Sequence, residues 1–116
     1  MKLSGEAQLL RILIGEDDKF QGKVLSEAIV EEARRRGLAG ATVLRGVLGF
    51  GANSLVHTSK ILRLSQDLPV LVEIVDIAEK IAEFIPILDN MIGEGLVTLE
   101  KVQVIAYRHN SGGKMS

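Results

Sequence analysis

The sequence predicts an α+β sandwich of ferredoxin-like order, β-α-β-β-α-β, and three observations carry that prediction. Short runs rich in β-branched and apolar residues recur at Gln8–Ile14, Thr42–Leu48, Pro69–Val75 and Leu96–Tyr107. Between them, Gly22–Arg36 and Asp76–Ile92 change to a spacing of three and four. Glycine, proline or acidic turn residues stand near each change of period. Two amphipathic helices and four strands pack most economically as an antiparallel four-stranded sheet with both helices on one face. Both crossovers are then right-handed.

Each element has its own local warrant. In the first strand Leu10, Ile12 and Ile14 alternate with Leu9, Arg11 and Leu13, so both faces carry apolar residues. Gly15-Glu16-Asp17-Asp18-Lys19 reads as a polar connection. The first helix places Leu25, Ala28, Ile29 and Ala33 on one stripe, with bases in its last turn where the macrodipole favours them. Gly37 supplies a left-handed stop and Leu38 packs back. Pro69 stands where a strand begins without losing a needed ladder bond. Asp76-Ile77-Ala78-Glu79 resembles a capping box, and Ile77, Ile81, Phe84, Ile85, Leu88 and Ile92 form the second stripe. Pro86 within it predicts a kink or slipped turn. Gly93 and Gly95 end that helix.

The chain has 116 residues, 47% of them apolar and 25% charged, which suits one globular domain over 1–109 with a loose tail at 110–116. A formal charge of −1 gives no electrostatic footprint for nucleic acid, and 3% aromatic content gives no base-stacking platform. Without cysteine there are no disulfides, thiolate metal sites or cysteine nucleophiles. Arg11, Glu73 and Asp76 interrupt the best apolar runs well short of the roughly 20 residues of a membrane span. The polar start is no signal peptide, so no membrane insertion and a cytoplasmic location are expected.

If Leu10, Ile12, Ile14, Val70, Val72 and Ile74 face the helices, then Leu9, Leu13, Leu71 and Val75 face away and leave an apolar patch uncovered. This predicts oligomerisation through the open face, with Arg11, Glu73 and Arg45 assigned to it.

The connection Gly49–Asp67 is far longer than an ordinary hairpin loop and predicts a functional segment. Gly46, Gly49 and Gly51 cluster at its base, where backbone can approach a ligand and present amides to a phosphate. Gly93-Glu94-Gly95 forms a second glycine turn. With Arg45 and Arg108 as candidate charges, the two turns suggest an anion pocket, although each alone reads equally well as a structural turn. Glu16-Asp17-Asp18 offers oxygen ligands for a hard cation, but an acidic solvated loop is the commoner arrangement. His57 and His109 lie in different segments. Ser54, Ser59, His57 and Asp67 lack a nucleophile elbow, so no enzyme activity is expected.

Gly37-Leu38-Ala39-Gly40-Ala41-Thr42-Val43-Leu44-Arg45-Gly46, followed by Gly49-Phe50-Gly51, resembles the start of the T-loop in PII signalling proteins. The fuller pattern adds Gly15-Glu16, His57-Thr58, Leu68-Pro69-Val70 and Glu94-Gly95-Leu96-Val97-Thr98. It is most similar to their uncharacterised PII-like relatives, over about residues 6–108. The resemblance implies a homotrimer with sheets facing inward and an adenine nucleotide in clefts between subunits. It also implies a long loop that docks on a transporter or enzyme. Arg45, Gly46, Gly49, Phe50 and Gly51 would form the T-loop base, Gly93, Glu94 and Gly95 the B-loop, and Arg108 a phosphate contact. Asn53, Ser54 and His57 would lie on the partner loop. Leu96 and Val97 stand where PII proteins carry a phosphate-binding lysine, so AMP or ADP is favoured over ATP with magnesium. The alternative is a structural or metal-binding trimer resembling the copper-tolerance proteins of the same fold.

Overall fold

The computed structural model describes residues 5–50 and 67–108. Strand β1 (Gly5–Gly15) leads through a small hairpin, β2 (Lys19–Phe20) and β3 (Lys23–Val24), into helix α1 (Leu25–Arg35). Then come β4 (Ala41–Arg45), β5 (Pro69–Asp76), helix α2 (Ala78–Met91) and β6 (Leu96–Val104). The four long strands form one sheet in the order β4-β5-β1-β6, and every pairing in it is antiparallel. This is the ferredoxin-like arrangement the periodicity predicts.

The sheet's two faces separate as the alternation requires. Leu10, Ile12, Ile14, Val70, Val72 and Ile74 are buried under the helices. They meet Leu25, Ala28, Ile29 and Ala33 of α1 and Ile81, Phe84, Leu88 and Met91 of α2. Full burial of a side chain such as Ile12 or Phe84 contributes about 1.5–3 kcal/mol, so this layer supplies the main driving force. On the other face Leu9, Leu13, Leu71 and Val75 are only half-buried. Arg11 donates from Nε to Glu73 Oε2 at 3.1 Å at the middle of that face.

Helix α1 closes as a Schellman motif, with the Leu38 amide donating to the Ala33 carbonyl and the Gly37 amide to that of Arg34. Gly37 takes φ +79° there. Helix α2 runs without interruption through Pro86 rather than slipping a turn. Pro86 and Ala82 both lie on its exposed side, so the carbonyl that loses its donor can be solvated.

Four expectations need correction. The hairpin β2–β3 occupies what reads as a plain connection and the start of a helix; Gln21 and Gly22 turn it at positive φ, and Phe20 packs on the core. Asp76 does not cap α2 through its side chain: Ile77 is the cap position, and no side chain bonds there. The Asp76 carboxylate instead is fully buried and accepts the Ala39 amide at 2.8 Å and its neighbour Ile77's at 2.7 Å. β4 ends at Arg45 rather than Leu48, its last tie being the Gly46 amide to the Pro69 carbonyl at 2.7 Å. Arg45 is also not on the open face, because its register partner is Val70, a helix-side residue. Its place beside Glu73 belongs to Arg11.

Candidate ligand site at one end of the sheet

The register decides which loops share a neighbourhood. Gly15 pairs with Pro69, Val70 with Arg45, and Leu13 with Leu96. The end of β1, the end of β4, the start of β5 and the start of β6 therefore all lie at one edge of the sheet. Arg45, Gly46, Gly49 and Phe50 lie at this end beside Pro69, whereas Gly93, Glu94 and Gly95 lie at the same end with two strands between, because β4 and β6 are the outer strands of the sheet. Arg108 does not join them within one chain. Val104 pairs with Gly5, so the end of β6 lies at the opposite edge.

The turn after β1 is tied to the base of the long loop. Asp18 Oδ2 accepts the Gly15 amide at 2.9 Å, and the Asp18 amide returns to the Gly15 carbonyl at 3.2 Å. The Glu16 amide donates to the Leu68 carbonyl at 2.8 Å, and the Asp17 amide to Asp67 Oδ1 at 3.0 Å. Asp67 holds φ +51°, a left-handed conformation that aspartate tolerates better than most residues. Onto this platform Arg45 closes, its Nη2 lying 2.6 Å from Glu16 Oε2. In the sequence Glu16, Asp17 and Asp18 read as a solvated acidic loop. The structure makes them the frame that connects three strand ends.

Two glycines here are required by packing, whatever else they do. A Cβ on Gly95, which has φ +151°, would lie 2.8 Å from the Leu13 carbonyl oxygen. One on Gly46 would lie 2.8 Å from Pro69 Cγ. Gly93 has open space around its missing Cβ. Beyond Gly46, Val47, Leu48 and Phe50 stand well exposed, at 88%, 60% and 66%. Three apolar side chains in water at one loop base are unusual for a surface without a partner.

Gly51, Asn53, Ser54 and His57, together with Ser59 and His109, fall outside the described residues. Among the described residues, no group of three or more His, Asp and Glu side chains could hold a metal ion. A depression of about 390 Å³ between the helices is lined by Arg35, Arg36, Lys80 and Phe84. Its cations are already engaged: Arg35 and Arg36 on Glu32, and Lys80 on the Arg36 carbonyl. Among the described residues, no helix is long and apolar enough to cross a membrane.

Residues 7–104 match the model of DUF190, a family described as an uncharacterized ACR. A UPF0166 protein of Aquifex aeolicus is 44% identical over 100 residues, which span 84% of this chain and 92% of the relative. A UPF0166 protein of Methanocaldococcus jannaschii is 37% identical over 100 residues, spanning 85% and 92%. Among solved structures, a protein of Thermus thermophilus described as PII-like and signaling aligns with TM-score 0.61 at 17% identity, over 87% of this chain and 91% of that one. CPII of Thiomonas intermedia, bound to ADP and bicarbonate, aligns with TM-score 0.56 at 18% identity, over 90% and 93%. The same protein bound to ADP, AMP and bicarbonate is described as a nitrogen regulatory PII-like protein and aligns with TM-score 0.56 at 16% identity, over 89% and 97%. At these identities the structural likeness establishes a shared fold.

Proposed function

The chain belongs to the DUF190 family, and from that premise we propose that it is a regulatory protein that binds an adenine nucleotide between subunits of a homotrimer. The observation that carries this reading is that Arg45 and both glycine turns lie at the same end of the sheet, on its two outer strands, where a neighbouring subunit would complete a cleft with either of them. Structures of the same fold hold ADP, or ADP with AMP. The half-buried open face, with Leu9, Leu13, Leu71 and Val75, supplies the surface through which copies would associate. Assembly also gives Arg108 a role, because from its own sheet's far edge it reaches a nucleotide site only as another subunit's residue.

AMP or ADP is the favoured ligand, since Leu96 and Val97 place no cation after the Gly93–Gly95 turn. Residues 49–67 would present a partner surface, with Asn53, Ser54 and His57 as its contacts. A transporter or an enzyme is the expected class of partner. Regulation requires the nucleotide to favour one state of that segment by differential affinity. The role is that of a signal carrier, and no catalytic step is assigned to it.

Calorimetry with AMP, ADP and ATP, alongside light scattering, tests the reading. The expected result is a trimer that binds AMP or ADP, with ATP no tighter. Leu71→Asp should dissociate it by placing a carboxylate in the apolar contact. A wild-type monomer, or no heat with any of the three nucleotides at millimolar concentration, overturns the proposal.

A further inference from the structure

The three segments tied together at the base of the long connection are strongly unbalanced in charge. Across 15–18, 45–50 and 67–69 the acidic residues are Glu16, Asp17, Asp18 and Asp67, whereas the one basic residue is Arg45. That one cation is already engaged by Glu16 at 2.6 Å. Glu16 is held in place for this contact by its own amide on Leu68 and by the bonds that Asp17 and Asp18 make on either side of it. A backbone fixed in this way removes part of the ordering cost that makes most exposed ion pairs weak.

We propose that Glu16 is a specificity-determining residue, a resident anion on Arg45 that an incoming phosphate must displace. The inference rests on the nucleotide reading above and adds to it a reason for preferring ligands of low charge. A phosphate that takes Arg45 leaves the Glu16 carboxylate unpaired beside it, and each further phosphate adds repulsion from that carboxylate. One phosphate makes the exchange at least cost, and a triphosphate gains least from it. Discrimination therefore comes from a carboxylate on the β1 turn as well as from the cation missing after Gly95.

Calorimetry on Glu16→Gln with AMP, ADP and ATP, without divalent cations, provides the test. Glutamine keeps the side chain's size and a hydrogen-bonding oxygen for Arg45 while removing the charge. AMP should bind about two- to fivefold tighter than to wild type, the range of an exposed ion pair. The gain should grow from AMP to ADP to ATP, by about twofold or more per phosphate. Glu16→Asp, which keeps the charge and withdraws it from Arg45, should show a smaller gain. In Arg45→Ala the gain from Glu16→Gln should lose the part that comes from releasing the cation and keep only the part that comes from relieving carboxylate–phosphate repulsion. A purely structural role for Glu16 would weaken all three nucleotides together.

Wild-type binding that is unchanged or weakened in Glu16→Gln, or a gain independent of phosphate number, overturns the assignment and leaves the nucleotide reading standing. No binding by wild type or by either Glu16 variant overturns the nucleotide reading itself.

Discussion

The two ends of the sheet are closed by different means. At the end where β5 finishes, one fully buried carboxylate, Asp76, accepts two backbone amides, and among the described residues no buried side-chain polar atom lacks a partner. Beside it the Schellman turn completes α1, Lys80 reaches the Arg36 carbonyl, and Tyr107 donates its hydroxyl to the Ala39 carbonyl at 2.7 Å. Lys80 and Tyr107 make exposed contacts like those of the other end, where Arg45 lies on Glu16, Asp17 on Asp67, and a loop base has apolar side chains facing water. What that end lacks, among the described residues, is a fully buried carboxylate like Asp76. A buried polar contact is costly to break, whereas an exposed ion pair exchanges readily for another partner. The first end is built to stay shut, and the second can trade its contacts for those of a ligand.

Substitutions sharpen this contrast. Asp76→Ala should have the largest effect, since it orphans the Ala39 and Ile77 amides beside a fully buried position. Hydrogen bonds to a charged group contribute about 1.5–3 kcal/mol each, so a loss of about 3 kcal/mol or more is expected. Urea denaturation measures it, and a loss below about 1 kcal/mol, the size of one ordinary hydrogen bond, would show that the far end is not locked. At the site end Gly95→Ala should cost about 1–3 kcal/mol, because its Cβ must push the Leu13 carbonyl away or shift the start of β6. The same denaturation curve, recorded without nucleotide, separates this packing role from any role in binding. An unchanged midpoint would assign Gly95 to the ligand alone.

The smallest effect concerns Glu32, which accepts from Arg36 at 2.6 Å and also bonds Arg35. The Arg36 hydrogen bond holds its pKa below the usual glutamate value of 4.5, against some opposing desolvation and with help from the charge of Arg35. A depressed folded pKa adds stability that is present above the unfolded value and lost as pH falls through the folded one. Wild type should thus exceed Glu32→Gln slightly at neutral pH, and the gap should close below about pH 4.5. Thermal melts across that range check it, and a gap that widens in acid would reverse the sign.

What is legible in the sequence is whatever is periodic or punctuated. The alternation in Leu9–Ile14 and Val70–Val75 places both faces of the sheet, and Gly37 marks the end of α1, because burial and φ act locally on neighbouring residues. The misread residues answer to distant partners. Asp76 looks like a cap since Glu79 follows at the right interval, but of the two amides it serves, Ile77's is its immediate neighbour and Ala39's is 37 positions away. Arg45 reads onto the wrong face because the extent of β4 and its pairing with β5 are not fixed by the local pattern. The β2–β3 hairpin has two residues per strand, too few to show a period. At the candidate site, the glycine turns are visible as motifs, whereas the Glu16–Arg45 contact depends on two strand ends meeting.

The hydroxyl contact of Tyr107 carries an optical consequence. The chain contains one tyrosine and no tryptophan, so its intrinsic ultraviolet fluorescence comes almost wholly from a ring anchored near Ala39. Emission should follow the opening of the far end, where release from the Ala39 carbonyl changes the phenol's surroundings. Within one chain a ligand at the opposite end lies far from this ring, so it should leave the spectrum of an isolated subunit nearly unchanged. A nucleotide met by Arg108 of a neighbouring subunit should instead alter the emission of the adjacent Tyr107. A nucleotide-dependent change in tyrosine emission would then report the contact between subunits, and its absence would remove Arg108 from the site.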